Sequence, residues 1–241
     1  MLYNVSMKIQ TPKIPKKYQP YGFQIIHEDL DIIVGNKSPG VLTVAALWER
    51  EKTVHNALNI YVQKGNSRSK KRVYVVHRLD QATSGVLVFA KSEKVQFFLK
   101  DNWSETEKIY YAIVHGKLEQ KKGFIESYLS EDDDYLMHSS SNSKTGKFAR
   151  TEYEVVKENG RYSLVKVNLI TGKKNQIRVH LSELGNPIVG DPKYGKSGDK
   201  CKDLMLHSYS LEINHPFTKE RVCFEAPVPH YFQKLVDYNY G

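Results

Sequence analysis

At 241 residues the chain is long enough to bury a substantial core. Its 40% hydrophobic and 26% charged residues are those of an ordinary folded protein, and no apolar run approaches the roughly 18 residues needed to cross a bilayer, so a membrane-embedded protein is excluded as a reading. Thirty-six Lys and Arg against 27 Asp and Glu leave a formal charge of +9, which points to a polyanionic partner such as nucleic acid.

Residues 1–20, "MLYNVSMKIQTPKIPKKYQP", read as a Pro- and Lys-rich extension without the apolar stretch and small-residue cleavage site of a secretion signal, so a cytoplasmic protein is expected. Residues 21–241 read as one domain. "GFQIIHEDLDIIVGNK" predicts two short strands around an acidic turn. Val54, Leu58 and Tyr61 behind Thr53 have the spacing of a capped helix. "KGNSRSKKR", residues 64–72, carries five basic residues and no acid, and reads as a flexible loop suited to phosphate contacts through Lys70, Lys71 and Arg72. "RVYVV" predicts a strand ending at His77, and "GVLVFA" another beginning after Gly85. A second capped helix follows, with Val95, Phe98 and Leu99 behind Ser92.

"KIYYAIVHG", "RTEYEVV", "RYSLVKVNL", "LMLHSYSLEI" and "RVCFEAP" are further strands, while "EDDDYLMHSSSNSKTGK" reads as a loop. Ile177, Leu181 and Leu184 predict a third helix stopped by Gly185, and "HYFQKLVDY" a fourth. Many strands with few interspersed helices imply an α+β fold with a large mixed, mainly antiparallel sheet flanked by a few helices and loops.

Common catalytic signatures are absent from the sequence: there is no Walker loop, GxGxxG, HExxH or GxSxG. Cys201 and Cys223 lack CxxC spacing, which argues against a disulfide framework and a structural zinc site. His27, His55, His115 and His138 are scattered without ligand spacing, and the "EDDD" run reads as a solvated turn, so no metal is expected. The informative segment is "HRLDQATS", a polar loop framed by two strands, because such loops place reactive groups on rigid supports. Arg78 and Asp80 stand two residues apart in it. The plain alternative is an ordinary turn holding a surface Arg–Asp pair.

"HRLDQATSGVLVFAK" resembles the signature of the RluA-type RNA pseudouridine synthases, and three segments resemble the same family in the same order: "NKSPGVLT" at 36, "KIYYAIVHG" at 108 and "TGKKNQIRVHLSELGNPIVGDPKYG" at 171. The closing "LHSYSLEINHPFTKERVCFEAP" follows the family pattern as well. Two departures stand out: the family's lysine-proline pair is Lys37-Ser38-Pro39 here, and a frequent histidine before Gln176 is Asn175. The resemblance implies that residues 21–241 form a pseudouridine synthase catalytic domain, which breaks the glycosidic bond of uridine, turns the uracil and rejoins it through carbon without a cofactor. It implies Asp80 as the catalytic carboxylate, acting as nucleophile or on a proton. It further implies Arg178 as the arginine that pairs with the aspartate, Tyr110 as the aromatic residue at the base, and Arg78 as a residue that holds a flipped-out nucleotide. His77 and Gln176, inside the matched motifs, are expected at the substrate. Tyr110 and Tyr111 point to opposite faces of a strand, so at most one of them faces the site. The implied partner is ribosomal or transfer RNA, selected by the domain's own loops, and the chain is expected to be a monomer. A binding protein that kept the fold without catalysis, and a glycosylase that releases the base, are the rival readings; product analysis separates them from an isomerase.

Overall fold

The computed structural model describes residues 7–8, 14–66, 68–140, 144 and 146–237. The chain divides into two compact units, one of Met1–Glu107 with Ser208–Pro227, the other of Lys108–His207 with Val228–Gly241. Of the expected extension over residues 1–20, residues 1–6 and 9–13 lie outside the described residues, while Met7 and Lys8 pair in parallel with Val222 and Cys223.

In chain order the elements are β1 (Met7–Lys8), β2 (Phe23–Glu28), β3 (Ile32–Lys37), α1 (Val54–Gln63), β4 (Tyr74–Val75), β5 (Ser84–Ala90) and α2 (Glu93–Asp101). Then follow β6 (Glu107–His115), β7 (Lys122–Glu131), β8 (Met137–Ser140), β9 (Lys147–Glu158), β10 (Tyr162–Leu169), α3 (Gln176–Glu183), β11 (Leu206–Asn214), β12 (Arg221–Glu225) and α4 (His230–Asp237). The fold is α+β with a mainly antiparallel sheet, as the strand pattern implied; the parallel pairing of β1 with β12 makes the sheet mixed.

In the first unit, β2 pairs with β3 and β3 with β5, both antiparallel. All seven residues of β5 are buried, which is why its sequence is a continuous apolar run and does not alternate. Val86 and Val88 join Val95 and Leu99 of α2, Leu211, Ile213 and Phe224 in one core cluster. Phe89 meets Phe23 edge-on and lies parallel to the ring of His55 on α1. Thr53 caps α1 by accepting the Asn56 N–H, and Ser92 caps α2 by accepting that of Val95. Gly85 adopts φ 115°, and a Cβ there would stand 2.1 Å from the backbone oxygen of Ser208, so only glycine allows the β5 backbone to come this close to β11.

The predicted strand "RVYVV" is shorter than expected. Only Tyr74 and Val75 pair with β5; two residues on, Nε2 of His77 accepts the Val88 N–H, a side chain standing where a ladder carbonyl would be, and the chain leaves the sheet.

The second unit carries β6-β10-β9-β7-β8, each neighbour antiparallel. Two of its strands escape sequence patterning. β7 has a single buried residue, Leu129, so it shows little apolar period; β8 falls within the stretch read as a loop and closes a hairpin on β7. Residues 141–143 and 145 of that stretch lie outside the described residues. Helix α3 is buried continuously from Gln176 to Leu181, and Val179 packs with Leu129, Met137 and Ala149. Phe232 of α4 is fully buried and meets the ring of His207 edge-on; Tyr238, the expected last residue of that helix, lies outside the described residues. Among the described residues, no helix is long and apolar enough to cross a membrane.

Candidate active site

Asp80 sits in the irregular segment between His77 and β5, and its carbonyl closes a turn by accepting the Thr83 N–H at 3.1 Å. This segment is zipped to the chain leaving β3. Gly40 N–H donates to the Gln81 carbonyl at 2.8 Å, and the Gln81 side-chain amide returns a bond to the Gly40 carbonyl at 3.0 Å. The Thr43 hydroxyl donates to the Leu79 carbonyl at 2.8 Å and accepts the Leu79 N–H at 3.3 Å. Both peptide neighbours of Asp80 are therefore fixed. The ring of His77 lies 4.7 Å from that of Trp103, which anchors the segment from its other end.

Lys37, at the end of β3, was noted in the sequence only as part of the Lys37-Ser38-Pro39 departure and was given no role there. Its side chain is fully buried, and Nζ donates to the carbonyls of Ser38, Val41 and Gln81 at 2.9, 2.7 and 3.0 Å. Burial pushes its ammonium down to about 7, against the opposing pull of the Asp80 carboxylate. The sequence signal was present: a lysine closing a β-branched apolar run is out of place unless it has partners. Ser38, standing between Lys37 and Pro39, lends its carbonyl to that ammonium.

Arg78 is exposed, and among the described residues its guanidinium is in no ion pair, so the surface Arg78–Asp80 pair of the plain reading is not formed. Lys70, Lys71 and Arg72 are likewise exposed in the segment between α1 and β4. Helix α1 holds the end of that segment: His55 Nε2 bonds the Val73 carbonyl at 3.0 Å, and Asn59 Oδ1 accepts the Val73 N–H at 2.9 Å. The basic side chains thus project from a short loop with a fixed exit. Ser67 lies outside the described residues.

In the second unit, Arg178 on α3 is 6% exposed and built into a cage. Its Nε and Nη2 donate to the two oxygens of Asp191 at 2.7 Å each, and Nη1 donates to Asn175 Oδ1 at 3.0 Å. The Tyr194 ring faces the guanidinium at 5.2 Å. Asp191 also accepts the N–H groups of Lys193 and Tyr194. Burial alone would raise its carboxyl, but the Arg178 hydrogen bonds and charge, with those two N–H groups, hold it below the usual carboxylate range. Asn175 takes the left-handed conformation, φ 54°, at the start of α3, where a short polar side chain is tolerated. The residue noted as a departure in the sequence is one of the three that orient Arg178. Asp191, within "GDPKYG", was not singled out from sequence.

Gln176, expected at the substrate, is 2% exposed and fully engaged inside the protein. Its Oε1 accepts from the Thr171 hydroxyl and the Lys173 N–H, and its amide donates to the Arg150 carbonyl and the Thr151 hydroxyl. No polar valence is left for a ligand, so this residue shapes the loop ahead of α3. Tyr110 and Tyr111 on β6 obey the strand alternation: Tyr110 is buried and opposite Val167, whereas Tyr111 is half-buried and opposite the exposed Lys166.

One histidine cluster was invisible to ligand spacing. Nε2 of His27 and Nε2 of His215 each lie 2.8 Å from the same oxygen of Asp29, and the three could in outline hold a metal ion. The tautomer argues otherwise. Nδ1 of His215 accepts the N–H groups of Phe217 and Thr218, so its proton sits on Nε2 and donates to Asp29, leaving no lone pair there for a metal. The cluster joins the β2–β3 turn to the β11–β12 turn. Burial would raise the Asp29 carboxyl, but the hydrogen bonds from His27, His215, Asp31 and Ile32 hold it far below its ordinary value.

The family model described as RNA pseudouridylate synthase matches residues 31–183. Ribosomal large subunit pseudouridine synthase D of Borreliella burgdorferi is 40% identical over 197 residues, covering 79% of this chain and 60% of that protein. The uncharacterized RNA pseudouridine synthase YhcT of Bacillus subtilis is 34% identical over 230 residues, covering 93% of this chain and 75% of that protein. Among solved structures, human RNA pseudouridylate synthase domain containing 4 superposes with a TM-score of 0.72 at 25% identity, over 87% of this chain and 90% of that one. The matched span takes in the Lys37 clamp, the Asp80 segment, β6 with Tyr110, and Arg178, and on this likeness the chain belongs to the RluA-type RNA pseudouridine synthases.

Proposed function

We propose that the protein isomerises uridine to pseudouridine in RNA, with Asp80 as the catalytic carboxylate. The observation that carries this reading is the treatment of Asp80's backbone. A polar loop residue is flanked on both sides by hydrogen bonds to the 40–43 segment and lies in electrostatic reach of a fully buried lysine that bonds the next residue's carbonyl, an expensive arrangement for a surface turn. An anionic group held in one place is what attack on the nucleotide, or removal of a proton from it, requires. Tyr110 serves as the aromatic contact for uracil, and Arg178, kept rigid by Asp191 and Asn175, as the guanidinium that the family sets against its aspartate. Exposed Arg78 holds the flipped arrangement, while Lys70, Lys71 and Arg72 contact phosphates.

Ribosomal RNA is the substrate class we favour, because the 40% identical relative is named for the large ribosomal subunit. No metal is assigned a step. The test is Asp80→Asn, which keeps size and removes the charge. In a pseudouridine assay beside a gel-shift titration on the same ribosomal RNA transcript, turnover should fall to background while binding survives. Substantial turnover by the folded variant overturns Asp80 as the catalytic group, and release of free uracil by the unaltered protein overturns the isomerase.

A further inference from the structure

The connection between β3 and α1 carries two large apolar side chains that the first unit does not bury. Leu47 is 92% exposed and Trp48 77% exposed. Their turn is nonetheless firmly built. Ala46 N–H donates to the Glu49 carbonyl at 2.9 Å, and the Glu49 carboxylate accepts the N–H groups of Glu51 and Lys52 at 2.9 Å each. The Asn56 amide holds the Glu51 carbonyl from helix α1. At its base the loop is closed by Val54 N–H to the Leu42 carbonyl and His55 N–H to the Thr43 carbonyl. Thr43 is the same residue whose hydroxyl is bonded both ways to Leu79, next to Asp80. An indole is thus held out into water by a scaffold whose foot is the Asp80 segment.

Hydrophobic burial would favour folding such a side chain away, and the turn's own bonds prevent it. On this loop Glu49 and Glu51 balance Arg50 and Lys52, with Lys52 in electrostatic reach of Glu49, so the local charge is neutral and the aromatic face, on a chain of formal charge +9, chooses the partner. A rigid exposed aromatic on a basic protein, tied to the Asp80 segment, suits a ligand that offers flat π-faces and phosphates together, which describes unpaired nucleic acid. Extruding a uridine leaves its neighbours unstacked, and an aromatic platform tied to the reacting loop would restore part of that stacking.

We propose that Trp48, with Leu47 as its apolar flank, is a stacking platform for an unpaired base beside the uridine delivered to Asp80. The proposal rests on the RNA reading above and adds a determinant of which single-stranded context is accepted. The full chain is titrated with a uridine-rich single-stranded RNA dodecamer, a duplex of the same length and phosphatidylglycerol vesicles, following tryptophan fluorescence and acrylamide quenching. Trp103 is the other tryptophan, so the signal of Trp48 is the difference between the unaltered protein and Trp48→Phe.

The single strand should quench and shield Trp48 more than the duplex does. Trp48→Ala should weaken binding of the dodecamer about 5- to 100-fold, and on ribosomal RNA it should raise KM with kcat preserved, whereas Trp48→Phe should retain most of the affinity. Unchanged affinity in a folded Trp48→Ala, or turnover on RNA without shielding of Trp48, overturns the proposal, as does shielding by vesicles alone. Shielding by RNA without any pseudouridine formed would sustain the platform and overturn the isomerase instead.

Discussion

Replacing Lys37 by Met separates the charge of the buried ammonium from the space it fills. Two effects on stability oppose each other. Truncating the donor orphans the carbonyls of Ser38, Val41 and Gln81, at about 1–3 kcal/mol for each buried acceptor left unmade. The same change removes the cost of burying a charge. The absolute difference is therefore a partial cancellation, and the pH dependence is the decisive quantity. An ammonium whose pKa falls from 10.5 to about 7 on folding gives up its proton near neutrality in the folded chain but keeps it until 10.5 in the unfolded chain. Between those values unfolding takes up a proton, so the stability of the unaltered protein rises with pH by up to 1.36 kcal/mol per unit. From pH 7 to pH 9 the integrated gain is about 2 kcal/mol, because the group is already half titrated at the start. Lys37→Met lacks this increment, so its deficit relative to the unaltered protein should widen by about 2 kcal/mol across that range. Urea unfolding at pH 7, 8 and 9 reads it directly. Stability profiles that run parallel in the two proteins would refute the argument and make Lys37 an amine that stays charged throughout.

Asp191→Asn should cost about 3–5 kcal/mol by leaving the Arg178 guanidinium buried without its carboxylate, and should abolish turnover even where the protein is kept folded by low temperature; thermal unfolding and the pseudouridine assay check the two parts. Neutralising Lys70, Lys71 and Arg72 together should weaken RNA binding and reduce the slope of log affinity against log salt by about 2–3, with thermal stability unchanged because these side chains are exposed. An unaltered salt slope in that triple variant would take the basic loop out of the interface.

How far the molecule could be read in advance follows from which forces left a local mark. Both capped helices were legible, since Thr53 and Ser92 sit beside their own apolar stripes. β5 was legible because burial on both faces demands a continuous apolar run. β7 was not, because a strand with one buried residue has no period to show, and β8 was hidden by its polar serines, one of which, Ser139, bonds the Ser127 hydroxyl of β7. At the site, Asp80 stood out through its motif, whereas Lys37 acts through three carbonyls, one of them 44 residues away, and the His27–Asp29–His215 cluster joins positions that no local spacing connects. Gln176 shows the converse: a motif residue whose four hydrogen bonds are all spent on architecture.

The first unit is discontinuous in the chain, and this bears on how the protein is made. β5 is complete at Ala90, but its neighbour β11 begins at Leu206 and the partner of β1, β12, at Arg221. At about 5–20 residues per second a ribosome needs roughly 6–25 s to deliver the missing strands. During that interval the most apolar strand of the unit presents an open edge, with Gly85 offering no side chain to block it. The residues around Asp80 are thus synthesised early and completed late, so a chain that stalls in the second unit exposes the stickiest part of the molecule before any of its chemistry is in place.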